Sequence, residues 1–315
     1  IDDAFSVSLA PRDPGKTFAD ADIGRRLQAA LEARRVGKVE TLVAVGRSSI
    51  ELRRLNLPPA PQEEWPDLVR FQAMPQFSNL GDDWPLDYFP LDTPEGEGAS
   101  VLAAAISPQM LSQIKRTCEE AGLAPKRLVL RPCAAASLLI QRSGPVSHRV
   151  RLFVDLLADE ADLTVLLERD IVLMRTVRLP AAHEGEDAAD SQVQVLSGEI
   201  RRTIASAQNQ LGGQRVGQVV LCGDGEAHRD LAQQLSERLS LPVEHFDPFD
   251  TLRRSSELKN NPPQQPERFA PLLGMIVDEA SSRGHAIDFL NPRKKARAKS
   301  NHRIFAIAGG LAAMV

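Results

Sequence analysis

Cysteine is scarce in this 315-residue chain, and so are aromatic side chains: three Cys, one Tyr, two Trp, and 4% aromatics in all. Cys118, Cys133 and Cys222 are odd in number and show no Cys-x-x-Cys pair and no His at ligand spacing, which excludes a disulfide-built fold and a zinc module. Three small buried side chains are the expected role. A Walker loop, a Gly-x-Ser-x-Gly elbow and a His-Glu-x-x-His pair are all missing, so no catalytic residue and no metal set is assigned. The histidines at 148, 183, 228, 245, 285 and 302 are scattered as surface or turn residues are. The acidic run 184–190 reads as a solvated loop leading to a helix N-cap at Asp190 or Ser191. No stretch reaches the roughly 20 apolar residues of a membrane helix, and Ile1-Asp2-Asp3-Ala4 carries neither half of a secretory leader. No internal repeat is visible. What the chain does have, 43% apolar and 25% charged residues, excludes disorder and allows two domains or one large lobed one.

The net charge of −4 is an average of two unlike parts. Residues 293–303 hold six of the 38 cations (Arg293, Lys294, Lys295, Arg297, Lys299, Arg303) and no carboxylate, which leaves 32 cations against 42 acids, or −10, on the remainder. Twelve residues without a polar side chain follow, Ile304 to Val315. They are apolar on every face and contain Gly309-Gly310, unlike an amphipathic closing helix. They are expected to be the first half of a membrane span continuing past Val315, which makes 315 residues a lower bound. Cations just before a span keep that side in the cytoplasm, so residues 1–303 are expected at the cytoplasmic face of a bacterial inner membrane, anchored by one span.

Hydrophobic periodicity predicts a strand over 5–9, a helix over 22–32 with Ile23, Leu27 and Leu31 four apart, and a central strand over 39–45. Strands at 49–55, 84–91, 100–106 and 127–130, with helices at 63–73 and 108–122, would build a compact α+β unit over 50–130. Beyond a helix at 132–143 come strands at 150–155, 162–167 and 171–179, then a long helix over 190–211 ended by Gly212-Gly213. A buried strand at 218–222, a Gly-containing turn, a helix over 226–239 and a strand at 242–246 follow α/β nucleotide-fold order. An apolar helix over 269–281 closes the pattern.

Several of these segments together resemble the PilM family of type IV pilus assembly proteins, relatives of FtsA in the actin-like superfamily. The resemblance is carried by Val45-Gly46-Arg47-Ser48-Ser49-Ile50-Glu51-Leu52-Arg53-Arg54-Leu55-Asn56-Leu57-Pro58, by Leu68-Val69-Arg70-Phe71-Gln72-Ala73, and by Ala121-Gly122-Leu123. It continues through Phe153-Val154-Asp155, Val219–Gly225, Leu241-Pro242-Val243 and Asp247-Pro248-Phe249. It implies an α/β, actin-like (ribonuclease H-like) two-lobed ATPase fold with an inserted small α+β subdomain, followed by a truncated transmembrane helix. The parts would be a first-lobe remnant (1–49), the inserted subdomain (50–130), a first-lobe helix (131–149), the second lobe (150–282), a peptide with a basic juxtamembrane segment (283–303) and the start of the span (304–315). Ile287, Asp288, Phe289, Leu290, Asn291 and Pro292 resemble the Ile-Asn-Leu-Leu-Pro peptide of PilN, the membrane partner that docks on PilM, here continued in one polypeptide. GspL of type II secretion has a similar plan. These residues are the expected partner-binding site, and the six cations after them the membrane-proximal one.

The same resemblance implies a nucleotide site at Asp155, Ala158, Gly223 and Gly225, where Gly lets backbone N–H groups approach phosphates. In this chain Leu157 stands where the second phosphate loop needs Gly, Asp159 and Glu160 would repel phosphates, and Asp224 replaces a middle Gly. The site is therefore expected to be vestigial, with no cofactor, ATP and Mg²⁺ being the disfavoured alternative. The expected function is a scaffold of a type IV pilus or type II secretion-like assembly platform, docking its own peptide in cis, with other assembly proteins as partners and no nucleic acid. The alternative is an ATP-binding actin-like ATPase or sugar-kinase-like phosphotransferase.

Overall fold

The computed structural model describes residues 1–7, 20–91, 99–142, 148–157, 159–180, 186–223, 230–250, 252–263, 265–281 and 284–294. Helix α1 (Asp20–Ala33) precedes strand β1 (Glu40–Val45). Strands β2 (Ile50–Leu57), β3 (Leu86–Leu91) and β4 (Ala99–Ile106), with helix α2 (Trp65–Ala73) between the first two, make an antiparallel sheet of order β2-β4-β3. Its middle strand shows why alternation matters. Val101, Ala103 and Ala105 pack with Val69 and Ala73 of α2, while Leu102, Ala104 and Ile106 face the main core.

Helix α3 (Pro108–Glu120) starts where Ser107 Oγ accepts from the Met110 amide at 3.2 Å with Pro108 in the first turn, and Gly122 at φ +73° follows its end. Strand β5 (Ala124–Leu130) then pairs in parallel with β1 and leads directly into α4 (Arg131–Arg142). The last strand of the 50–130 segment thus belongs to the β1 sheet, not to the β2-β4-β3 sheet. Leu128 and Leu130 explain this, because they are buried in the main core beside Val45 of β1.

Strands β6 (Val150–Leu156), β7 (Glu160–Leu167) and β8 (Asp170–Arg178), helix α5 (Glu186–Gln210), strand β9 (Gln218–Cys222), helix α6 (Leu231–Leu239) and strand β10 (Val243–His245) build the second lobe. Its sheet has the order β10-β9-β6-β7-β8, with β7 antiparallel to both neighbours and β9 and β10 parallel to β6. Three meandering strands extended on one side by two parallel ones form a ribonuclease H-like sheet. On β6, Val150, Leu152 and Val154 face the core beneath α5 and α6, whereas Phe153 points to the other core and meets Phe246 edge-on at 5.9 Å.

A short helix α7 (Ser256–Asn260) and helix α8 (Ala270–Ala280) complete the elements, and α8 crosses α4 closely enough that a Cβ on Gly274 would stand 1.9 Å from the Ala134 carbonyl oxygen. Sequence periodicity missed α7 because five residues are too few to show a period; the Ser255 cap on the Leu258 amide was its one signal. The strand expected over 5–9 is not formed at Phe5–Val7, and residues 8 and 9 lie outside the described residues. Phe5 lies instead under the Arg34 guanidinium at 3.8 Å, and the Ile1 ammonium donates to the Arg253 carbonyl at 2.7 Å. Among the described residues no helix is long and apolar enough to cross a membrane; the expected span at 304–315 lies outside them.

Candidate functional site

After α8 the chain turns back and lays residues 286–293 between β3 and β5. Ile287 is fully buried and Phe289 is 1% exposed; both enter the main core. The Phe289 amide donates to the Leu128 carbonyl at 2.9 Å, and Asp288 forms an antiparallel bridge with Val129, so the segment adds a single strand residue to the edge of β5. The Asp288 carboxylate binds in two directions. Oδ1 accepts from the amides of Leu128 (3.1 Å), Leu290 (3.0 Å) and Asn291 (3.3 Å). Oδ2 accepts from Arg127 Nη1 (3.1 Å) and Asn291 Nδ2 (2.8 Å), and Asn291 Nδ2 also donates to the Lys126 carbonyl. An acidic residue at 288 can be buried because so many donors surround it.

The other wall of the groove is built on Asp87, which is 1% exposed in the strand Leu86–Leu91. Its Oδ2 accepts from the Asp288 amide at 2.8 Å and its Oδ1 from the Arg293 amide at 3.0 Å. Arg293 Nη1 stands 3.0 Å from each of the two oxygens, donates to the Ala286 carbonyl at 2.9 Å, and lies 5.6 Å from the Tyr88 ring centre. One buried carboxylate therefore holds both ends of the turn 288–293. Arg293 belongs to this docked segment rather than to a free basic stretch. Leu290, Pro292 and Lys294 line an open groove of about 430 Å³ with Trp84, Leu111 and the rim carboxylates Asp82 and Asp83. Lys295, Arg297, Lys299 and Arg303 lie outside the described residues.

Upstream of the segment, His285 is buried between two acids of α8. Its Nε2 is 3.2 Å from Glu279 and its Nδ1 is 3.6 Å from Asp278. The Asp278 carboxylate, then that of Glu279, raises the imidazole above its ordinary pKa. Lys126 and Arg127 of β5 reach the same Glu279 at 3.2 and 3.5 Å, and Lys126 above all holds that carboxyl below its usual range.

Of the expected nucleotide residues, Asp155 lies near the end of β6 and Gly223 directly follows β9. Both oxygens of Asp155 are buried without a hydrogen-bond partner, and burial, then the neighbouring Asp162, pushes its carboxyl well above the carboxylate range. The Leu157 amide donates to the Glu160 carbonyl at 2.9 Å, closing the β6–β7 turn on itself. Gly223, at φ +112°, has its missing side chain accounted for by packing, since a Cβ there would be 2.5 Å from Leu156 Cβ. Leu157 and Gly223 are thus engaged by the sheet itself, while the Asp155 carboxylate keeps both oxygens unpartnered. Ala158 and Gly225 lie outside the described residues, and among those described no three His, Cys, Asp or Glu side chains could hold a metal ion.

Asp87, Arg127, Arg131 and His285 were not singled out from sequence. Asp87 did carry a signal: a lone carboxylate inside Leu86-Asp87-Tyr88-Phe89 is costly to bury unless something charged meets it.

No family model matches the chain, and no curated protein matches it. Among solved structures it is similar to a chain of the PilM–PilN type IV pilus biogenesis complex, at 23% identity and TM-score 0.69 over 85% of this chain and 89% of that one. A Bacteroides thetaiotaomicron protein with an actin-like ATPase fold matches at 9% identity and TM-score 0.42 over 71% and 76% of the two chains. The cytoplasmic domain of EpsL, an inner membrane component of the Vibrio cholerae type II secretion system, matches at 13% and 0.41 over 69% and 80%. The five-stranded sheet has ribonuclease H-like topology, so the fold is of the α/β class. In fold it is PilM-like.

Proposed function

We propose that this protein is a scaffold of a type IV pilus or type II secretion-like assembly platform at the cytoplasmic face of the inner membrane, and that residues 286–293 are its docking peptide, bound in cis. The observation that carries this reading is the groove occupied by Ile287, Asp288 and Phe289, clasped by Asp87 and Arg127. In the likeness named above a pilus protein is found with a partner; here the segment that resembles the partner's peptide is covalently continuous with the groove. From Ala280 only a short run of residues precedes Ile287, which spans at most about 3.6 Å per residue. His285 pins that run locally against α8. Tethering this short gives an effective concentration on the order of millimolar. Docking therefore fixes one peptide to one body, with Lys294 the last described residue before the basic stretch that the reading assigns to the membrane surface.

The test uses the full chain. In Asp288→Ala, which alters the peptide and leaves the groove intact, amide exchange over 286–293 should accelerate by at least tenfold, a free peptide of unaltered sequence spanning 285–294 should become able to bind, and the variant should fail to support pilus or secretion assembly at normal cellular level. Unchanged exchange in the variant, or tight binding of the free peptide to the unaltered chain, would sink the cis reading.

A further inference from the structure

The β5–α4 corner is joined to β7 by one side chain. Arg131 is the first residue of α4, at the corner where β5 leaves the first lobe. Its Nη2 donates to Glu160 Oε1 at 2.5 Å and its Nε to Asp162 Oδ2 at 2.8 Å, both acceptors on β7 of the second lobe. Asp162 Oδ1 is in turn held by the Thr176 hydroxyl of β8. Opposite Asp162 in the sheet register stands Asp155, whose oxygens take no hydrogen bond. Gly46, after β1, leaves the space the guanidinium fills, for a Cβ there would come within 3.1 Å of Arg131 Nη1.

We infer that Arg131 is a built-in clamp between the lobes, a fixed counter-cation for the β7 carboxylates that sets cleft closure from within the chain rather than through a bound nucleotide and its metal. Three carboxylates converge on this corner, Asp155, Glu160 and Asp162. Two of them accept from one guanidinium and share its single positive charge. The third, Asp155, takes no hydrogen bond, and burial pushes its carboxyl well above the carboxylate range. The cations near this corner have other neighbours: Arg175 pairs with Glu199 and Arg53 with Glu51, while Arg47, close enough to feel Asp162, donates no hydrogen bond through its buried Nε. A nucleotide with its divalent ion would have to displace the guanidinium and would meet two carboxylates in its place. The lobes are consequently expected to have one closed state, independent of ATP.

Hydrogen exchange on the full chain decides this, read on β7 and on the β5–α4 corner. Arg131→Met should accelerate exchange at 160–166 and 129–134 severalfold and lower the melting temperature, with Arg131→Lys intermediate because it keeps the charge and loses the fork. Millimolar Mg·ATP should leave exchange and melting of the unaltered chain unchanged. Should Arg131→Met fail to fold, Glu160→Gln removes one arm of the fork and should accelerate exchange on β7 alone. Exchange on β7 as slow in both Arg131→Met and Glu160→Gln as in the unaltered chain, or protection of β7 in the unaltered chain by Mg·ATP, would overturn the clamp.

Discussion

At the scale of single residues, the docked segment is governed by two buried carboxylates. Asp87 and Asp288 are each costly to shelter alone, and each is met by a more exposed arginine, Arg293 and Arg127, and by backbone amides. His285 adds a titratable group to this arrangement. Its partners are Asp278 and Glu279 on α8, with Lys126 and Arg127 facing Glu279 from β5, and Asp278 fixed by Ser137 Oγ at 2.5 Å and Gln141 Nε2 at 2.6 Å. Because the folded-state pKa of His285 is raised, its contribution is fully present below the ordinary value of about 6.5 and is lost as pH rises through the folded pKa. Stability should fall over that window in the native chain, and the fall should vanish in His285→Gln; urea midpoints at pH 6 and pH 8.5 measure it. Glu279 acts in the opposite direction, since its lowered pKa gives stability above the ordinary carboxylate value that is lost in acid.

At the scale of elements, the contact between α4 and α8 decides whether the docked segment has a base to return from. Ala134 and Gly274 let the two helices approach until backbone meets backbone. Gly274→Ala must push them apart, and overpacking of this kind costs about 1–3 kcal/mol, more where backbone is the obstacle. The variant should unfold at a clearly lower urea midpoint with unchanged slope, and Gly198→Ala on α5, where a Cβ meets nothing, should not. Most elements were legible in the sequence for a simple reason. The unbroken apolar run Val101–Ile106, buried on both faces, and the four-residue spacing of Ile23, Leu27 and Leu31 are burial written into the chain. What was illegible depends on partners distant in sequence. Pairing of β5 with β1 skips the entire β2-β4-β3 sheet, and Phe5–Val7 alternates like a strand although no strand forms there and Phe5 lies under the Arg34 guanidinium. At the site, Ile287 and Phe289 were legible only through the resemblance of residues 287–292 to the PilN peptide. Asp87, 201 positions from Asp288, could only be suspected from its setting.

At the scale of the whole molecule, the uneven charge acquires a sharper boundary. Arg293 is held by Asp87, so the cations free to act outside the body begin at Lys294, beside the carboxylates Asp82 and Asp83 at the groove mouth. Five remain in the sequence from Lys294 to Arg303, against an acidic body that anionic lipid would repel. Each such cation near an anionic surface contributes about 1 kcal/mol, screened within a Debye length of roughly 10 Å at ordinary salt. The apolar run 304–315 should respond differently, since burial of hydrocarbon is insensitive to salt. The full chain is therefore expected to bind vesicles rich in phosphatidylserine and to lose part of that binding as salt is raised. Replacing Lys294, Lys295, Arg297, Lys299 and Arg303 by Gln should abolish the salt-dependent part and leave the part held by 304–315. Arg293→Gln should leave vesicle binding unchanged while loosening the docked segment, because its charge is already neutralised within the body. If Arg293→Gln weakened vesicle binding as much as Lys295→Gln does, Arg293 would face the lipid and not Asp87.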